Sequence, residues 1–374
     1  MLQSLIVIAL FNFIVPLKTP SVQAAVPQKL PIVGLMDRGV DDPSQPWTPP
    51  DPNYLGAAVT GYAVNIGWNE LQPTQNGSIA RNTRLDQALN QVRAFNIAHP
   101  TTQLHVRLRI FAGVNSPAWA MNLDGPAMTL RCDNIPVPYV CFTPGAHVVQ
   151  EPRFWGPKYS AAYQAFVSKL SSVYDAAPEI TEVDVSQCST LYPETLIKEF
   201  DLPGNAQAYV NAGWTQQKDV ACQKAQLNDF VSTWPTTLVG MSFNPYETLN
   251  STKTGAITEL TTTYMLMNYC RQVLHSRCVL ENYSTRTPTG YSAYQDIYNY
   301  MVKLGQPIAF QTAIDQRVGD LNATLCTDAT HRSANDIELP RGYNNPSDPY
   351  NVYRTPSQLL PYTQILEKTS STCP

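Results

Sequence analysis

The sequence predicts a single-domain (β/α)8 barrel of the parallel α/β class, stapled by disulfides. Three observations predict it. Short apolar runs alternate with amphipathic stretches along the chain, the pattern of successive βαβ units. Eight such runs can be marked, the strand number that closes a parallel barrel. The 374 residues, 43% of them hydrophobic, supply a large core, and no linker divides them.

The predicted strands cover residues 31–37, 62–68, 104–112, 180–187, 237–244, 278–282, 307–312 and 336–339. Helical spacing falls between most of them. Leu85, Ala88, Leu89, Val92 and Phe95 make one apolar face, and Tyr163, Phe166, Val167, Leu170 and Tyr174 make another. Further helices are expected near 206–232, 256–275, 292–304 and 356–367. The link after the first strand is different, because Pro43, Pro46, Pro49, Pro50 and Pro52 forbid a regular helix. An open doubly wound sheet that binds nucleotides needs a glycine-rich turn after the first strand, and Leu35-Met36-Asp37-Arg38-Gly39 is not one.

Composition narrows the function. Charged residues are only 14% of the chain, against ~25% in ordinary soluble domains. Net charge is -4 and there is no basic run, so nucleic acid is not an expected partner. Polarity carried by Asn, Gln, Ser, Thr and 20 Tyr suits a protein that handles neutral ligands.

The segment from Leu5 to Leu17 is nearly continuous apolar sequence, shorter than the ~20 residues that span a bilayer. Val22-Gln23-Ala24 follows as a small-x-small cleavage site. Residues 1–24 are therefore read as a signal peptide and 25–374 as the barrel, secreted and free of the membrane after cleavage. The eight cysteines form an even set, as an oxidised exported protein requires. Nearest-neighbour closure pairs Cys132–Cys141, Cys188–Cys222, Cys270–Cys278 and Cys326–Cys373. The absence of C-x-x-C and the scarcity of His argue against a zinc site, and neither metal nor cofactor is expected. Asn76, Asn250, Asn282 and Asn322 head glycosylation sequons.

The segment Gly67-Trp68-Asn69-Glu70-Leu71-Gln72-Pro73, with Gly77 and Leu85-Asp86 beyond it, resembles a phrase of barrel glycoside hydrolases. Residues 106–113 with Ser116-Pro117-Ala118-Trp119-Ala120 look like the third strand and loop of the same superfamily. The resemblance implies hydrolysis of glycosidic bonds by two carboxyls, one protonated and one ionised. In that superfamily they end strands four and seven. Here strand four ends at Ser186-Gln187-Cys188 without a Glu, and strand seven carries Gln311 where the nucleophile stands.

The carboxylate candidates are therefore Glu194, just beyond strand four, and Glu338, on strand eight. Glu194 is read as acid/base; its structural alternative is first-turn charge on the next helix. Glu338 has the alternative role of salt-bridge partner to Arg107 or Arg109. Strands four and eight oppose each other, which favours the wider, inverting separation of ~6.5–9.5 Å. Glu281 is the next candidate, and Asp184 reads as structural. Trp68, Trp119, Asn65, Asn244, Tyr246, Asn282 and Gln311 fall at predicted strand ends and are expected to bind the sugar. Arg109, on one face of strand three with Arg107, is expected to orient carboxylates or bind an anionic sugar, with structural pairing as its alternative. Two alternatives stand beside hydrolysis: a barrel that binds sugar without cleaving it, and a secreted structural glycoprotein.

Overall fold

The structure is a computed structural model and describes residues 27–39, 45–132, 147–287 and 292–374. The expected signal peptide and Cys141 lie outside the described residues. Eight parallel strands close into a barrel: β1 (Gly34–Asp37), β2 (Val59–Gly67), β3 (His105–Phe111), β4 (Ile180–Asp184), β5 (Leu238–Ser242), β6 (Cys278–Thr285), β7 (Ile308–Thr312) and β8 (Asp336–Glu338). Each pairs with its neighbours in sequence, and β8 returns to β1 with Met36 beside Glu338. All eight predicted strand segments are barrel strands.

Seven helices cover the wall among the described residues: α1 (Arg84–Ala98), α2 (Pro157–Tyr174), α3 (Gln216–Thr233), α4 (Leu260–Leu274), α5 (Ser292–Leu304), α6 (Leu321–Thr330) and α7 (Pro356–Leu366). Their starts are written in the sequence. Thr83 and Asp86 form a capping box on α1, and Thr355 with Gln358 forms one on α7. Pro157 occupies the first turn of α2, where its missing N–H costs nothing. Thr215, Glu259 and Asp320 cap α3, α4 and α6 through side-chain oxygens. No regular helix joins β1 to β2 among the described residues; α7 instead packs over β1.

Three local expectations are corrected. The helix expected near 206–232 is two helices, Asn205–Asn211 and α3, because Gly213 takes a positive φ and Thr215 restarts the chain. Residues Ala256–Glu259, expected to open a helix, pair instead with Tyr246–Leu249 as an antiparallel hairpin. The short helix α6 was not expected, since its Thr-rich sequence has little amphipathic pattern.

Disulfides join Cys188–Cys222, Cys270–Cys278 and Cys326–Cys373, as nearest-neighbour closure predicts. The main core lies between strands and helices. A second, small apolar cluster of Leu238, Val279 and Ala309 comes from adjacent strands β5, β6 and β7. Two residues further along each strand, on the same face, stand Gly240, Glu281 and Gln311, so above this cluster the barrel interior turns from apolar to polar and charged.

Candidate active site

Arg107 and Arg109 lie two residues apart on β3 and therefore face the same way. Arg107 donates from Nε to Glu182 at 3.1 Å, from Nη1 to Glu338 Oε1 at 2.6 Å and from Nη2 to both oxygens of Asp336 at 2.9 Å. Arg109 donates from Nε to Asp184 at 2.9 Å, from Nη2 to Glu338 Oε1 at 2.5 Å, and from Nη1 to Glu338 Oε2 at 3.1 Å and Gln311 at 3.0 Å. Glu281 lies 3.2 Å from Arg107 Nε. Five carboxyls thus meet two guanidiniums in a layer closed to solvent.

Two positive charges cannot balance five negative ones in this setting, so protons must make up part of the difference. Burial pushes Glu182, Asp184 and Asp336 up to about 7, and pushes Glu281 well above the carboxylate range. Glu338 goes the other way, because both arginines hold its carboxylate below the usual value against the cost of burial. Tyr283 fits this division. Its hydroxyl lies 2.7 Å from Asp184 and 2.5 Å from Glu281, and a phenol has one proton, so one of those carboxyls must supply a second. Gly240 is glycine for a steric reason: a Cβ there would fall 2.6 Å from Asp184 Oδ1 and 2.7 Å from Glu281.

Glu182, Asp184 and Glu281 are the one acidic group among the described residues whose oxygens converge enough to hold a metal, all within 4.8 Å. Arg107 already meets two of these carboxyls, so the cation they face is a guanidinium.

Above this layer the chain after β4 carries Glu194. Its segment is fixed at several points. Lys198, wholly buried, donates from Nζ to the carbonyls of Cys188 and Thr195. The Thr190 carbonyl presses on Gly113, whose positive φ and missing side chain admit it. Cys188 is tied to Cys222 of α3. The half-buried Glu194 receives Asn244 Nδ2 at 3.4 Å. Burial raises its carboxyl to about 7, while Asn244, Arg109 and Arg38 restrain the rise.

The structure brings several expected residues together. Glu194 and Asn244 meet, Arg109 Nη1 bonds both Gln311 and Glu338, and Asn65 stands in register with Arg109 across β2 and β3. Others are placed elsewhere. Trp68 is fully buried against Tyr159, Tyr163 and Phe166 behind the wall, so it is a core residue and not a sugar platform. Trp119 is half-buried, edge-on to Trp68 at 5.5 Å, with Nε1 bonded to the Gln72 carbonyl. Tyr246 is buried with its hydroxyl on Asp219 at 2.8 Å, and it opens a hairpin strand beyond the barrel strand β5. Asn282 is also fully buried; it touches Asn244 at 3.1 Å, which removes it from direct sugar contact and from use as a glycosylation site. Glu338 is closed to solvent beneath the mouth, in the salt-bridge role named as its alternative.

Sequence reasoning passed over Tyr283 in favour of its neighbour Asn282. Strand alternation carried the signal, since Glu281 and Tyr283 share a face and Asn282 faces the other way. Arg38, whose charge reaches Glu194, was not singled out either.

Fold and site together define a closed (β/α)8 barrel with a charged interior and a carboxyl at the mouth. No protein-family model matches the chain, and no curated protein does. Among solved structures it is similar to the β-amylase catalytic domain from Paenibacillus polymyxa, at 10% identity over 84% of this chain and 92% of that one, TM-score 0.45. It is similar to the cold-adapted β-galactosidase from Rahnella sp. R3, at 12% identity over 91% of this chain and 58% of that one, TM-score 0.48. It is also similar to endo-glycoceramidase II from Rhodococcus sp., at 12% identity over 89% of this chain and 78% of that one, TM-score 0.47.

Proposed function

We propose that this protein hydrolyses O-glycosidic bonds of an extracellular glycan, with Glu194 as proton donor and Glu338 as the carboxylate kept ionised. One observation carries the reading. Arg107 and Arg109 engage both oxygens of Glu338, which favours its ionised form, whereas Glu194, half-buried beyond β4, accepts from the neutral Asn244 and is raised by burial. Glycoside hydrolysis needs that split, one carboxyl holding a proton for the leaving oxygen and the other negative beneath the sugar. For Glu338 to reach water or the sugar, Arg109 Nη1 must release Oε2, the longest of the contacts at 3.1 Å. Asn65 and Gln311 supply amides for sugar hydroxyls and Trp119 the aromatic face, while Asn244, fully buried, acts on the sugar only through Glu194. Strands β4 and β8 stand opposite in the barrel, which favours inversion. The disulfides suit an oxidising, extracellular setting.

A second reading, a barrel that binds glycan without cleaving it, is favoured by one observation: Glu338 is closed to solvent with both oxygens engaged. The test is incubation with α- and β-linked neutral oligosaccharides, read by release of new reducing ends and, in parallel, by calorimetric binding. Cleavage by the wild type, lost in Glu194→Gln, is the expected result. Binding without cleavage selects the second reading. Neither binding nor cleavage overturns both.

A further inference from the structure

Glu194 is not held by Asn244 alone. The Asn282 side chain has one possible orientation, because its Oδ1 accepts the backbone N–H of Ser284 at 3.1 Å and its Nδ2 donates to the Phe243 carbonyl at 3.0 Å. Both partners are backbone groups of fixed polarity. Tyr298 of α5 adds its hydroxyl to the same Oδ1 at 3.0 Å. Asn282 Nδ2 also donates to Asn244 Oδ1 at 3.1 Å, and that contact fixes Asn244 in turn. Asn244 must then present Nδ2, a donor with no acceptor capacity, to Glu194 Oε1. All three relay residues are buried, so water does not scramble the order.

We propose that Tyr298, Asn282 and Asn244 form a one-way hydrogen-bond relay that fixes which oxygen of Glu194 carries the proton. Oε1 accepts from the Asn244 donor and is thereby the better seat for negative charge, which favours the proton on Oε2. Asn282 and Tyr298 are positioning residues that act through Asn244. The relay rests on the reading of Glu194 as proton donor for its purpose, but not for its existence. It also explains why a fully buried Asn stands on β6 beside the inward-facing Tyr283. The other groups that act on Glu194 are Arg109 and Arg38, which favour its charged form, and Glu247, which disfavours it. None of them belongs to the relay.

The test is the ionisation of Glu194 itself, followed by carboxyl 13C NMR with Glu194→Gln as the assignment control, without substrate. Asn244→Ala removes the donor that favours the charged form, so the Glu194 pKa should rise by about one unit. Asn282→Ala, which changes no charge and does not touch Glu194, should shift it in the same direction by freeing Asn244 to rotate. The double variant should shift it no further than Asn244→Ala, because both act through one contact. Tyr298→Phe keeps the ring packing and should give a smaller rise, which serves if Asn282→Ala does not fold. An unmoved Glu194 in both Asn282→Ala and Tyr298→Phe, or shifts that add in the double variant, overturns the relay. A relay confirmed in a protein that cleaves no glycan leaves this inference standing and removes the hydrolytic reading.

Discussion

Arg109 grips Glu338 end-on, Nη2 on Oε1 at 2.5 Å and Nη1 on Oε2 at 3.1 Å, while its Nε holds Asp184 at 2.9 Å. One guanidinium therefore ties β3 to β4 and β8 through the barrel interior. The Tyr283 ring lies against it at 4.2 Å. With the solvent excluded, each of these charges depends on the others.

We predict that Glu338→Gln destabilises the fold as well as changing the site. Removing one partner of a buried, multiply bonded ion pair costs roughly 3–5 kcal/mol. Urea unfolding should show the drop, and a variant as stable as the wild type would contradict the network. Glu194→Gln should leave stability nearly unchanged, which makes it the cleaner functional variant.

We predict that stability falls as pH rises from about 5 to about 8. Glu182, Asp184 and Asp336 are raised to about 7 in the fold and Glu281 higher still, while unfolded carboxyls titrate near ~4. Groups raised in the folded state contribute stability fully below the unfolded pKa and lose it as pH passes the folded one. Glu338, lowered in the fold, opposes this only at acid pH, where its contribution is lost as pH falls through its folded pKa. Denaturation midpoints measured across this interval should decline, and Asp184→Asn should flatten the slope. A midpoint that climbs with pH would contradict the protonation scheme.

We predict different outcomes for the two tryptophans. Trp68→Ala should cost ~3–5 kcal/mol, as expected for a large buried aromatic. Trp119→Ala should cost less stability, ~0.5–3 kcal/mol, and should also weaken oligosaccharide binding. Thermal unfolding and binding calorimetry separate the two roles. Unchanged binding in Trp119→Ala would assign that ring to the core alone.

We predict that opening the Cys188–Cys222 bridge, which closes 34 residues, costs ~2–4 kcal/mol in the double Ser variant. Any hydrolytic rate should fall with it, because Cys188 begins the segment that carries Glu194. A stability equal to that of the wild type would show that packing alone holds the segment.

The barrel was legible because its strands carry apolar residues in short runs, as on β2 and β5, or at alternate positions, as on β3, β4 and β8. The site was only partly legible, and parity explains much of the gap. On β2, Tyr62, Val64 and Ile66 belong to the core shared with the helices, and Tyr62 bonds to the Ala88 carbonyl of α1. Trp68 continues that set, so its burial followed from counting by two. The same count on β6 separates Glu281 and Tyr283 from Asn282. Glu338 stands on the inner face, and its pairing with Arg107 or Arg109 was named as its alternative role; that it meets both arginines at once, closed to solvent, is a long-range fact no local pattern records. The direction of the relay through Asn244 depends on backbone partners at Phe243 and Ser284 and was likewise hidden.

The most direct measurement is the turnover of Glu194→Gln on a glycan that the wild type cleaves, taken with a folding check by circular dichroism. Loss of a general acid predicts a fall of ~10²–10⁴-fold in rate with the fold intact. A folded Glu194→Gln variant that cleaves at the wild-type rate would contradict the assignment of Glu194 as the proton donor.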